Sequence, residues 1–207
     1  MTKMQKIVES LYQAVIDNKD YLTKLDEAIG DADHGLNMAR GFTAVRDEID
    51  NITEDTSAKE ALQIVGKAIS DNTGGAAGPL YGIGFLKAAE VCEADDEMTP
   101  ETLCKLFTAA IEGIKRRGHA ERGEKTMLDV LCPIMECFQT ENAAGKSIEE
   151  CLTAAQTAAK EGTEYTKTIV ATKGKASTFG ERSLGHIDPG AASAEILFSA
   201  FCRAIRR

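Results

Sequence analysis

Apolar residues recur along most of this chain at three- and four-residue intervals, the spacing of one helix face, and strand-like alternation is nearly absent. Between residues 3 and 18, Ile7, Leu11, Ala14 and Val15 share a face. Residues 36–49 and 58–71 follow the same rule, the latter with Ala61, Leu62, Val65 and Ala68. Further helices are predicted at 79–92, 100–117, 126–139, 147–169 and 189–206, about eight in all. No repeat, low-complexity tract or domain-splitting linker interrupts them. The pattern predicts an all-α fold in a single domain over residues 1–207.

Glycines cluster between these helices. Gly30 and Gly35 bracket an acidic turn, and Gly74, Gly75 and Gly78 precede Pro79. Gly118 and Gly123 come before Lys125, while Gly174, Gly180, Gly185 and Gly190 occupy the last long loop. At any one loop, glycine does no more than end a helix. Four polar, glycine-dense loops that each open a helix predict a ring of helix N-termini, where backbone N–H groups bind anions.

The acidic turn, DEAIGDADHGLN at 26–37, places Asp26, Asp31 and Asp33 within eight residues. Two carboxylates at roughly 4 Å repel by about 4 kcal/mol at an effective dielectric of about 20, so a cation between them relieves the cost. Hard oxygen donors suit Mg²⁺, which completes its shell with water and substrate phosphates. A solvated acidic turn with Asp31 or Asp33 as helix N-cap is the other reading of the same residues.

At 207 residues the chain is long enough to bury its own core. Aromatic residues are only 5% and Trp is absent, which predicts a core of Ala, Leu, Ile, Val and Met. The formal charge of −9 comes with no basic stripe, so nucleic acid is not an expected partner. The six cysteines include no Cys-x-x-Cys pair and sit among apolar residues, as small hydrophobes in a reducing compartment do. No apolar run reaches the 18 residues of a membrane span, and MTKMQKIVES lacks an apolar leader core. A soluble, cytoplasmic protein without membrane contact is the expectation.

Several chemistries are excluded. Gly145-Lys146-Ser147 resembles the end of a Walker A loop, but residue 140 is Thr where the first glycine belongs, so the segment reads as a turn and N-cap. Gly82-Ile83-Gly84 lies inside a helical run. Ser183, His186 and Asp188 lie too close in one loop for a hydrolytic triad. Asp188-Pro189 reads instead as an N-cap followed by proline at the first helical position.

Four segments in order, DEAIGDADHGLN, GGAAGPLYG (74–82), GEKTMLD (123–129) and KGKASTFGERSLGHIDPGAAS (173–193), carry a resemblance. The chain resembles the L subunit of dihydroxyacetone kinase and the C-terminal domain of the single-chain ATP-dependent kinases, over nearly its whole length. The resemblance implies an antiparallel barrel of eight amphipathic helices with a nucleotide site and two Mg²⁺ ions at one end. Asp26, Asp31 and Asp33 would be the Mg²⁺ ligands. His34, Gly35, Leu36 and Asn37 would meet the phosphates of ADP or ATP. Ala76, Ala77 and the segment from Gly118 to Met127 would hold the nucleotide, with Met127 near the adenine, although its helical spacing equally fits core packing. Lys175 and Ile187-Asp188-Pro189 would close the remaining side. No residue is expected to act covalently; metal and positioning would carry catalysis.

The family usually has Ser where Ala77 stands, Asp where Glu124 stands and Arg where Lys175 stands. Lys lacks the planar fork of Arg, so the last exchange bears on how nucleotide is held. The resemblance implies two partners: a K-type subunit that binds the ketose, and a phosphohistidine carrier subunit of the phosphotransferase system that recharges bound ADP. A homodimer is left open. Two other readings remain at this point: a small subunit of an ATP-dependent kinase for a related ketose such as a tetrulose, and a nucleotide-binding regulatory subunit.

Overall fold

In a computed structural model of the chain, residues 1–93 and 98–206 are described. Among them run nine α-helices: α1 (Lys3–Asp17), α2 (Lys19–Ile29), α3 (His34–Asp47), α4 (Ala58–Asn72), α5 (Ala77–Val91), α6 (Pro100–Gly118), α7 (Leu128–Ala143), α8 (Ile148–Tyr165) and α9 (Pro189–Ile205). Short 3₁₀ segments at Ile49–Asn51, Thr166–Thr168 and Lys175–Ser183 complete the regular structure, and the described residues contain no strand. None of their helices is long and apolar enough to cross a membrane.

Side chains fix where many helices begin. Thr2, Ser57 and Ser147 form reciprocal capping boxes with Gln5, Glu60 and Glu150 at the starts of α1, α4 and α8. Thr99 caps α6 ahead of Pro100, and Asp188 caps α9 ahead of Pro189. These starts match the sequence-based boundaries closely. The predicted helix over 147–169 instead ends at Tyr165 and tightens into the 3₁₀ turn Thr166–Thr168.

α2 was not among the predicted helices. Its buried residues are Leu22, Asp26 and Ile29, so a carboxylate interrupts the apolar face that periodicity would detect. A single residue, Asn18, serves as C-cap of α1 and N-cap of α2, which erases the expected loop between them.

The helices pack in a closed cycle of neighbours, α1–α3–α4–α5–α6–α7–α8–α9 and back to α1, with α2 laid against α3 and α9. One large apolar cluster fills the centre, including Phe42, Ile69, Leu103, Ile111, Phe138 and Leu152. The expected core of aliphatic residues needs correcting. Phe107, Phe138, Phe198 and Phe201 meet in it, with Phe107 5.8 Å from Phe138 and 5.7 Å from Phe198 between ring centroids. These four phenylalanines bring large buried area to the centre of the fold. An apolar cavity of about 170 Å³ lies beside them, lined in part by Leu11, Phe85 and Ala110. Cys132, Cys151 and Cys202 are buried as free thiols, and Cys92 is buried as well.

The two ends of the cycle differ. At one end the first turns of α1, α4 and α6 share a second apolar cavity, through Met4, Ala58 and Thr102. The last turn of α9 joins this arrangement at the start of α8, where Arg206 pairs with Glu149 and bonds Thr153. The starts of α3, α5, α7 and α9 gather at the other end, described below.

Close approach of α2 to α3 depends on Gly35. A Cβ there would lie 2.0 Å from the Lys19 carbonyl oxygen and 2.4 Å from Thr23 Oγ1. Backbone cannot yield as a side chain can, so Gly35→Ala is expected to destabilise the protein by about 1–3 kcal/mol. Urea unfolding measures this, and an unchanged midpoint would mean that α2 is not seated on α3 through this glycine.

Candidate functional site

The chain leaves α2 through Gly30, where a Cβ would fall 1.9 Å from Asp26 Oδ1. Ala32 then takes a left-handed conformation (φ 60°), unusual for a residue with a side chain. The turn is held from beneath. Asp26, 6% exposed, accepts the backbone N–H groups of Asp33 (2.9 Å) and His34 (3.1 Å) through Oδ2. Asp33 occupies the N-cap position of α3, yet its own carboxylate makes no cap bond. Asp26 does that work, so the exposed Asp31 and Asp33 carboxylates take no part in capping α3. One oxygen from each of Asp26, Asp31 and Asp33 lies within 4.8 Å of the others, a hard donor set that fits a divalent cation. Lys175 reaches Asp31 at 3.0 Å, and that bond holds the Asp31 carboxyl below its ordinary range.

His34 opens α3 with Nε2 3.0 Å from Ser193 Oγ on α9. Ser193 Oγ is also 2.7 Å from Tyr81 OH on α5 and donates to the Gly190 carbonyl at 3.0 Å. With its one proton on Gly190, Ser193 accepts from Tyr81 O–H and from His34 Nε2–H, which satisfies all three groups. Burial lowers the His34 pKa, against the pull of Asp26 and Asp33, and raises that of Tyr81. Three helices are thereby tied at one point.

The loop before α5 packs on α3. Gly75 is left-handed (φ 63°), and a Cβ at Gly74 would fall 2.4 Å from Asn37 Oδ1, which accepts from Arg40 at 2.9 Å. No N-cap side chain closes α3 or α5. The loop before α7 is shaped by Asp129, fully buried, whose carboxylate accepts the N–H groups of Gly123 (2.5 Å) and Thr126 (2.8 Å). Asp188 Oδ2 accepts the Ala191 N–H at 2.8 Å, and a Cβ on Gly190 would sit 3.5 Å from the Met127 nitrogen. The starts of α7 and α9 therefore touch.

The predicted residues fall as follows. Asp26, Asp31 and Asp33 converge. His34, Gly35, Leu36 and Asn37 form the first turn of α3, with Leu36 exposed and Asn37 buried. Ala76 and Ala77 start α5. Gly118 ends α6 against Leu80 in the first turn of α5. Met127 precedes α7 but is 4% exposed and belongs to the main apolar cluster. Ile187, Asp188 and Pro189 lead into α9. Glu124 joins its loop to Thr172, through its carbonyl (3.3 Å) and its carboxylate (3.4 Å). Ser183 bonds Gly180 and Ala171, consistent with the exclusion of a triad. Sequence reasoning assigned no role to Tyr81, Ser193 or Asp129, and it covered Lys125 only as part of the segment from Gly118 to Met127. For Lys125 and Asp129 the available signal was an opposite-charge pair four residues apart, running from the glycine loop into the first turn of α7.

The DAK2 domain family matches residues 28–203, and the chain belongs to this family. It is 42% identical over 174 residues to the ADP-binding subunit DhaL of the PEP-dependent dihydroxyacetone kinase of Escherichia coli K12, covering 84% of this chain and 82% of that protein. Identity is 38% over 188 residues to the ADP-binding subunit DhaL of PEP-dependent dihydroxyacetone kinase 1 of Listeria innocua, covering 91% and 88%. The dihydroxyacetone kinase of C. freundii, crystallised with AMP-PNP and Mg²⁺, shares the fold with a TM-score of 0.73 at 23% identity. That match spans 97% of this chain and 33% of the other.

Asp188 makes a pH-dependent contribution. Burial pushes its carboxyl up to about 7, and Asp129 and Asp26 add to the rise, against the Ala191 N–H bond and the Lys125 charge. A carboxyl that titrates higher folded than unfolded contributes stability that is full below about pH 4 and is lost as pH rises through about 7. Asp188→Asn keeps an acceptor for Ala191 but cannot titrate. The parent is expected to lose more stability than D188N between about pH 5 and pH 8. Urea midpoints measure the difference, and parallel profiles would show that Asp188 is not the titrating group.

Proposed function

We propose that the chain is the nucleotide- and Mg²⁺-binding phosphotransferase subunit of a multi-subunit dihydroxyacetone-type kinase, working in the cytoplasm. It would relay a phosphoryl group from a phosphohistidine carrier subunit to a short ketose on a K-type subunit, with ADP/ATP resident in this chain. The observation that carries the reading is the convergence of Asp26, Asp31 and Asp33 within 4.8 Å beside two helix starts whose own N-cap residues make no side-chain bond. A chain 42% identical to an ADP-binding subunit supports it.

Two Mg²⁺ ions bound there would neutralise phosphate charge and orient the transferred group. The rest falls to the chain's own residues. Asp26 sets the direction of α3, so that backbone N–H groups at Gly35 and Leu36 serve the phosphates. Ala76 and Ala77 offer the same from α5 without a hydroxyl. His34, whose pKa burial lowers, is fixed through Nε2 by Ser193. Lys175 supplies a mobile positive charge at the open side, paired with Asp31 until phosphate competes for it.

Asp31→Asn or Asp33→Asn is expected to abolish Mg²⁺-dependent ADP binding while leaving the helical circular-dichroism signal unchanged. Mg²⁺ and ADP together, at about 100 times Kd, should stabilise the parent by about 2.7 kcal/mol and raise its Tm. Metal-independent ADP binding by the double Asn variant would sink the reading. Mass spectrometry of protein purified without added nucleotide separates a resident ADP from free ATP exchange.

Lys175→Arg adds a second directed donor. A charge-assisted bond of about 1.5–3 kcal/mol corresponds to slower ADP release by roughly tenfold or more, and Lys175→Ala should speed release. Stopped-flow release of a fluorescent ADP analogue reads both; unchanged off-rates in both variants would remove Lys175 from the site.

A further inference from the structure

Lys125 is 1% exposed, a lysine among the largest fully buried side chains of the described residues. Its backbone is left-handed (φ 63°), a conformation disfavoured for any residue with a Cβ. The Asp129 carboxylate holds the loop in that shape from both sides, through Gly123 and Thr126. The ammonium donates to the carbonyls of Thr166, Ile169 (3.3 Å) and His186 (2.6 Å). All three of its protons are thus used on main chain from two other segments. Burial lowers its pKa, while Asp188 and Asp129 favour the charged form.

An apolar side chain would fill this space without desolvating a charge, so packing does not explain a lysine here. What the ammonium adds is direction. It fixes the turn after α8 and the loop before α9 relative to the start of α7. Two residues beyond His186, the Asp188 N–H donates to Thr166 Oγ1 at 3.0 Å, and the Asp188 carboxylate caps α9. Ser193 in the next turn then meets His34 beside the acidic turn. Lys125 therefore reaches the site through Thr166, Asp188 and the first turns of α9.

We propose that Lys125 is a positioning residue for the nucleotide: it makes no contact of its own, and its three-way tether sets the α7 and α9 starts that face the ligand. This rests on the nucleotide-binding reading above. The acidic turn does not depend on the tether, because Asp26 organises it through Asp33 and His34. Nucleotide and metal affinity should therefore separate.

The test is Lys125→Met, titrated calorimetrically with ADP and Mg²⁺ at a temperature where both proteins are fully folded. Kd for ADP is expected to rise by roughly tenfold or more, corresponding to about 1.4 kcal/mol. Mn²⁺ affinity without nucleotide, read by electron paramagnetic resonance, should stay unchanged. Amide exchange at Asp188 and Ala191 should quicken, and Lys125→Arg, which keeps the charge on a planar head, should recover part of the loss. Equal ADP affinity in parent and K125M overturns the proposal and leaves the functional reading intact. A parallel loss of Mn²⁺ affinity shows a general structural role and overturns it too. If K125M does not fold, K125R carries the same comparison; failure of both to fold makes Lys125 a requirement of the fold and ends the proposal. A parent that binds no ADP refutes the functional reading and this one with it.

Discussion

Burying a carboxylate is costly unless hydrogen bonds replace water, and Asp26 makes that exchange with the N–H groups of Asp33 and His34. The rest of the site depends on this pair of bonds. They bend the chain between α2 and α3, supply the cap that Asp33 does not, and leave two further carboxylates at the surface of the turn. The surrounding glycines make the geometry reachable. Gly30 admits the Asp26 side chain, and Gly35 lets α2 lie on α3.

Much of this was legible in the amino-acid order. Helical periodicity located most helices, Ser147 and Asp188 were legible as N-caps, and the Asp26–Asp31–Asp33 spacing located the acidic turn. α2 escaped because the residue that makes it important is the residue that breaks its pattern. Asp26 takes an apolar position, and only its tertiary partners explain why. The contacts of Ser193, Tyr81 and Lys125 escaped for a related reason. Each of these residues acts on groups far away in sequence, Ser193 on His34 and Lys125 on Thr166 and His186. No local spacing encodes such pairings. Asp129 acts nearby, on the N–H groups of Gly123 and Thr126.

Under the proposed function, two lysines would serve the site in opposite ways. Lys125 is sealed, with every donor committed to main chain, so its charge is a fixed part of the scaffold. Lys175 is exposed and holds a single carboxylate, a pairing weak enough to be exchanged when a better anion arrives. In a chain of net charge −9, the buried Lys125 holds main chain, while the exposed Lys175 pairs with Asp31 in the acidic turn.

The two ends of the helical cycle are finished differently. α1, α4, α6 and α8 start with hydroxyl side chains bonded to their own first turns, whereas α3 and α5 start with none. At one end of the molecule the helices close on their own side chains. At the other, the starts of α3 and α5 lack acceptors that serine or threonine would have provided, and the oxygens of a diphosphate have the chemistry of those acceptors. Under the proposed function, the nucleotide stands in for side chains that the gene leaves out, and the finished fold is composed of polypeptide and phosphate together.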